Sequence, residues 1–205
     1  MSPRPETSLA ERKRQLVADE LTSAALQLLA SKGYDAVTTD EIAAAAGVSR
    51  RTFFRYFASK EDVVVRFLAD MGTGMRAALA DRPADEPVSV ALRHAVSGPL
   101  SACGDHADSA RGVVRLILGT PALHARFLER QAQWRDDLTA ELAARTGVDP
   151  GAGSDADLYP QMAAGMALTA FNTVLQRWSD SEDAEAPTGL LERAFALLAP
   201  ALDVQ

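Results

Sequence analysis

One cysteine, Cys103, stands in the whole chain, so an intramolecular disulfide is excluded and a reducing compartment fits. The three histidines, His94, His106 and His124, show no metal-ligand spacing and have no cysteine pair beside them; no metal and no cofactor is expected. No uncharged apolar stretch reaches the roughly 18 residues that a membrane-spanning helix needs. Met1, Ser2 and Pro3 lead into charged residues rather than a secretory apolar core, and the chain reads as soluble and cytoplasmic. Repeats, low-complexity tracts and strand-like alternation are also missing. So are a Gly-rich phosphate loop and any arrangement of nucleophile, base and acid, which points away from an enzyme.

What is present is helical patterning over 205 residues, enough to bury a real core. Val17, Leu21, Ala24, Ala25 and Leu28 form one stripe of an amphipathic helix that Gly33 ends. Thr38 and Glu41 have capping-box spacing and open a short helix, Ile42 to Ala46, stopped by Gly47. Ser49 caps a third helix, Arg50 to Phe57, and Ser59 with Asp62 caps a fourth that runs to about Leu79. Pro83 to Pro87 is a polar break. Beyond it the pattern predicts helices over 88–103 (bent at Gly98-Pro99), 109–118, 121–145, 156–179 and 187–199, with a Gly/Asp/Pro loop from Gly147 to Ser154. The expected fold is all-α with about nine helices. Its parts are a basic arm over 1–14, a helix-turn-helix domain over 15–60, a connecting helix over 61–82 and a C-terminal bundle over 83–205.

The formal net charge is −7, which at first disfavours a nucleic-acid partner. Its distribution reverses that reading. Residues 1–60 carry nine Lys/Arg against seven Asp/Glu, a net of +2, and the remainder carries −9.

Thr38 to Phe57 contains two short helices joined by Ala46-Gly47-Val48-Ser49, the Gly-containing turn that a DNA-binding helix-turn-helix requires. On a wheel of about 100° per residue, Phe53 and Phe57 cluster toward the first helix, while Arg51, Thr52 and Arg55 point away. Two arginines one turn apart suit bidentate readout of guanine O6 and N7. Arg50 and Tyr56 flank that face and can reach phosphates or base edges. Helix N-termini bind phosphate, so Thr38, Thr39 and Lys60 extend two such anchors. Arg12-Lys13-Arg14, just ahead of the first helix, adds a possible backbone contact. Each feature has a plainer reading as well: Arg51 and Arg55 as a solvated face, Lys60 as a local cap, the basic run as generic charge.

The run Thr38-Thr39-Asp40-Glu41-Ile42-Ala43 through Ala46-Gly47-Val48-Ser49-Arg50-Arg51-Thr52-Phe53-Phe54-Arg55-Tyr56-Phe57 to Ser59-Lys60-Glu61 resembles the DNA-binding signature of the TetR/AcrR family. The resemblance covers about residues 14–65. It implies a three-helix DNA-binding domain on a helical bundle that dimerises and holds an inducer. By position it implies phosphate contacts at Thr38 or Thr39, Ser49, Tyr56 and Lys60, and base contacts at Arg50, Arg51, Thr52 and Arg55. Two departures stand out. Phe54 replaces the common Tyr and is expected to pack, and Arg51 replaces a frequent Gly, Pro or Ala, implying a different operator preference.

In the C-terminal part, the helices over 156–179 and 187–199 carry more apolar surface than one seam can bury. Their small residues allow close helix approach, so an isologous four-helix dimer interface is expected from Thr169, Leu175, Trp178, Leu190, Leu191, Ala194, Phe195 and Leu198. A two-fold dimer implies double-stranded DNA with two half-sites. A ligand pocket within the fifth to eighth helices is expected from Val96, Leu100, Ile117, Phe127, Gln131, Trp134, Met162 and Met166, for a small, largely apolar molecule. The function expected is a dimeric repressor released from its operator by that molecule, with the connecting helix as lever. Two other readings remain open: a constitutive repressor with no inducer, and a ligand-carrying bundle with a vestigial helix-turn-helix.

Overall fold

The structure, a computed structural model, describes residues 8–101, 107–147, 158–181 and 185–203. Within them the chain is all-α: α1 (Leu9–Lys32), α2 (Thr39–Ala45), α3 (Arg50–Tyr56), α4 (Lys60–Ala80), α5 (Val88–Ser101), α6 (Ala107–Gly119), α7 (Pro121–Thr146), α8 (Leu158–Asp180) and α9 (Pro187–Leu202). Cys103, His106, the loop residues from 148 to 154 and the Glu182-Asp183 pair lie outside the described residues.

Local chemistry sets most of the helix ends. Thr38 caps α2 by a reciprocal box: Glu41 N–H donates to Thr38 Oγ1 at 3.2 Å, and Thr38 N–H donates to Glu41 Oε2 at 2.9 Å. Ser49 Oγ accepts from Thr52 N–H at 3.1 Å, and Ser59 Oγ accepts from Asp62 N–H at 3.1 Å. Gly47 takes φ +65° in the turn after α2, and Gly147 takes φ +68° at the end of α7, a left-handed conformation that a side chain would strain. Pro121 and Pro187 open α7 and α9, where a missing N–H is harmless.

One helix start differs from the sequence expectation. α1 begins at Leu9, not near Val17, on a second capping box between Ser8 and Glu11. Arg12-Lys13-Arg14 therefore lies inside α1 rather than ahead of it. The first two turns show no apolar stripe because nothing buries them; Leu9 and Leu16 are exposed. Periodicity reports burial, and an unburied helix leaves no such trace. α9 also runs past 199 through Pro200 to Leu202.

The chain divides into two compact units within α4, Met1–Phe67 and Leu68–Gln205. In the first, α1 packs on α2 and α2 on α3 around Leu21, Ala25, Leu29, Ile42, Phe53 and Val63. Burial of the Leu, Ile, Phe and Val side chains among these is worth about 1.5–3 kcal/mol each before entropy is counted. In the second, α7 packs on α8, α5 on α8 and α9, and α6 on α7 and α8. Pro83 to Pro87 is the loop between α4 and α5, held where Arg145 donates to the carbonyls of Arg82 (2.9 Å) and Pro83 (2.8 Å). The ends of α5 and α9 are joined by Asp203, which accepts from Ser89 N–H at 2.8 Å and from its hydroxyl at 2.7 Å.

Candidate nucleic-acid interface

Only Phe53 of α3 is buried, and its ring stands edge-on to Phe54 at 5.3 Å. With that side fixed inward, the helix turns Arg50, Arg51 and Arg55 to solvent. Arg51 has no hydrogen-bond or ion-pair partner among the described residues. Arg50 is lightly tied, its guanidinium 3.2 Å from Asp40 and over the Phe54 ring at 5.5 Å. Arg55 lies over the Tyr56 ring at 5.2 Å. Exposed pairs and stacks of this kind contribute at most about 1 kcal/mol, so both side chains can be redeployed at low cost.

Thr52 is half-buried, and its hydroxyl lies 3.0 Å from that of Ser49. Ser49 and Thr52 thus form the N-terminal cap of α3 together. Phe54, expected to pack, is 44% exposed. Its neighbour in sequence fills the core position, and the two cannot share one face of a helix.

At the next helix start, Lys60 is already occupied. Its ammonium donates to the Tyr34 carbonyl and, at 2.9 Å, to the Val37 carbonyl, and it lies 4.3 Å from the Tyr34 ring centroid. It ties the α1–α2 loop to α4. Thr38 is exposed and Thr39 half-buried, with the Thr38 hydroxyl committed to the α2 cap. Glu41 receives the Thr38 N–H, the Lys32 ammonium at 2.9 Å and the Thr38 hydroxyl, which hold its carboxyl down at about 2.

In the second unit, Val96, Leu100, Ile117, Phe127 and Trp134 are buried in the core. Phe127, Trp134 and Phe171 form an edge-to-face series with centroids 5.8 and 6.4 Å apart. Gln131 lines a separate cavity between α7 and α8. Met162 and Met166 line an open groove of about 1010 Å³ over α7, α8 and α9, in company with Thr169, Ala194 and Leu198. Leu175, Trp178, Leu191 and Phe195 are instead buried within this one chain, and Leu190 is half-buried. Leu158 and Leu197, apolar members of the same two helices that sequence reasoning did not single out as interface residues, are exposed along the groove, with Arg135 and Asp136 on its α7 side. Their apolar neighbours on the same helices carry an identical sequence signal, so only packing separates the two sets.

The geometry is that of a DNA-binding regulator, and comparison with known proteins agrees. The profile of bacterial regulatory proteins of the tetR family matches residues 21–67, and that of the MftR C-terminal domain matches residues 86–203. The regulator TcmR of Streptomyces glaucescens is 33% identical over 202 residues, covering 95% of this chain and 88% of its own length. MftR of Mycobacterium tuberculosis is 31% identical over 207 residues, covering 97% and 98%. Among solved structures, the fatty acid degradation regulator FadR of Bacillus halodurans superposes with a TM-score of 0.65 at 21% identity, covering both chains fully. FadR of Bacillus subtilis, solved in complex with stearoyl-CoA, superposes at 0.62 with 21% identity, covering 88% of this chain and 97% of its own. The chain belongs to the TetR family of transcriptional regulators and is a sequence-specific DNA-binding protein of that class.

Proposed function

We propose that the protein is a cytoplasmic repressor that binds a two-half-site operator as a homodimer and leaves it when a small, largely apolar ligand binds the second unit. The observation that carries the DNA half is Arg51, exposed and unpartnered on α3, one turn from Arg55. Those two side chains, with Arg50 and Thr52, are assigned to base edges. Ser49, Tyr56 and the N-terminal end of α2 at Thr38 and Thr39 are assigned to phosphates. Lys60 acts here chiefly through the loop it holds, not as a free cation.

The second copy would cover the α8–α9 groove. Leu197 is 83% exposed, Leu158 57% and Met162 54%, and all three line one groove, so a partner helix could bury them together. Ligand release needs a molecule whose affinity differs between the DNA-competent and incompetent arrangements. That this fold can admit an acyl chain is supported by stearoyl-CoA in the Bacillus subtilis relative.

Selection of bound fragments from a random DNA pool tests the reading. Wild type should recover an inverted repeat, and Arg51→Ala should relax one position in each half-site. Unchanged base preference in the variant would remove Arg51 as a reader. The operator complex should also dissociate on addition of an organic-solvent extract of the host's metabolites; persistence of the complex would favour a constitutive repressor.

A further inference from the structure

Two polar side-chain atoms that are buried without a partner, on Gln131 and Asn172, belong to residues that line one cavity. Gln131 Nε2 and Trp134 Nε1 on α7 and Asn172 Oδ1 on α8 are all shut off from water, and none has a hydrogen-bond partner among the described residues. Gln131 and Asn172 line the same cavity, about 320 Å³ between α7 and α8, whose other walls are Leu128, Ala132, Arg135, Gly165, Leu168 and Thr169. Trp134 sits one turn along α7 from Gln131, but it does not line the cavity and its Nε1 faces Gly72 of α4.

A buried donor or acceptor left unmade loses its hydration with nothing in return, so native chains keep few of them. Two carboxamides on facing helices, one offering a donor and the other an acceptor, form a complementary pair that does not close on itself. Amide orientations are interchangeable by rotation, but together the pair still requires a guest that both gives and takes a hydrogen bond. The volume is at the lower end of small-molecule sites, and the walls mix apolar Leu128, Ala132 and Leu168 with polar Arg135 and Thr169.

We infer that this cavity is a recognition site for a neutral carboxamide or hydroxyl group carried on a small apolar body, held between Gln131 and Asn172. The inference rests on the ligand-responsive reading above and names the polar chemistry of the ligand. The guest's carbonyl or hydroxyl oxygen accepts from Gln131 Nε2, and its N–H or O–H donates to Asn172 Oδ1. Arg135, Gly165 and Thr169 line both this cavity and the α8–α9 groove, and the Arg135 guanidinium is 3.7 Å from Asp136, an exposed pairing. A side chain from a second copy is the rival occupant.

The test uses the full chain labelled with ¹⁵N and acetanilide as probe, with ethylbenzene as its apolar counterpart. Acetanilide should shift the side-chain amide resonances of Gln131 and Asn172 saturably, and ethylbenzene should not. Gln131→Leu and Asn172→Leu, close in volume to the residues they replace, should each weaken acetanilide by about tenfold or more. If either fails to fold, Gln131→Met and Asn172→Ala serve the same comparison. Unmoved amide resonances on addition of acetanilide, or equal binding to the wild type and the variants, would overturn the proposal. Because the readout is occupancy and not operator release, its failure leaves the repressor reading standing, and loss of operator release leaves this site standing.

Discussion

The two units of the chain differ in where their functional information is stored. In the first, Thr38 with Glu41, Gly47, and Ser49 with Thr52 act over three or four residues, so a short stretch of sequence is nearly sufficient to set the geometry. In the second, the decisive property is which apolar side chains face inward, and that depends on partners far along the chain. Phe195 and Leu197 sit two residues apart on α9, one 2% exposed and the other 83%. A functional surface built from caps is local; one built from leftover apolar area is defined only after the core has formed.

Aspartate at those two positions gives the largest expected effect. Phe195→Asp buries a carboxylate without a partner in a core site and should abolish the cooperative thermal transition. Leu197→Asp should leave the helical melt in place and convert dimer to monomer in sedimentation. A folded, dimeric Leu197→Asp would move the interface away from the α8–α9 groove.

Next in size is Gly72→Ala in α4. A Cβ there would stand 2.1 Å from Trp134 Cδ1 and 2.2 Å from Nε1, so the buried indole or the α4 backbone would have to shift to admit it. Overpacking of this kind costs about 1–3 kcal/mol. Trp134→Leu in the same chain should recover part of the loss, because the two substitutions share one contact. Additive destabilisation in the double variant would show that the indole is not what excludes the methyl group.

Much of the first unit was legible from sequence for the reason already given. Turn, caps and the inward Phe53 all follow from short-range spacing, and the structure adds mainly what spacing omits. It shows Lys60 bound to Tyr34 and Val37 across 26 and 23 residues, and it shows Phe54 displaced outward by Phe53. The all-α class and the helix order of the second unit were also legible. Its surface was not, since Met162, Trp178 and Phe195 look equally apolar in the sequence while the fold exposes the first and buries the others. Asn172 gave no sequence signal either; a single amide in an apolar helix acquires meaning only opposite Gln131.

Arginine and lysine substitutions separate contact from support. Arg51→Ala should cost about 1–3 kcal/mol of operator discrimination with no change in melting temperature. Lys60→Ala should lower the melting temperature and weaken all DNA alike, since it frees the α1–α2 loop before any phosphate is considered. A Lys60→Ala protein with unchanged melting and a shallower salt dependence would make Lys60 a phosphate ligand after all.

The smallest effect concerns Glu41. Its carboxyl is held at about 2 by the Thr38 amide first, then by Lys32 and the Thr38 hydroxyl, against an ordinary value near 4.5. A folded value below the unfolded one means that the ionised carboxylate stabilises the folded state. That contribution is fully present above the unfolded value and is lost as pH falls from about 4.5 toward 2. Glu41→Gln should therefore melt below wild type at pH 7, and the gap should narrow across that acid window. The loss is modest because the side chain is exposed to water and salt. A gap that persists unchanged at pH 3 and below would show that the Gln side chain fails in shape rather than in charge, and that the cap of α2 does not depend on ionisation.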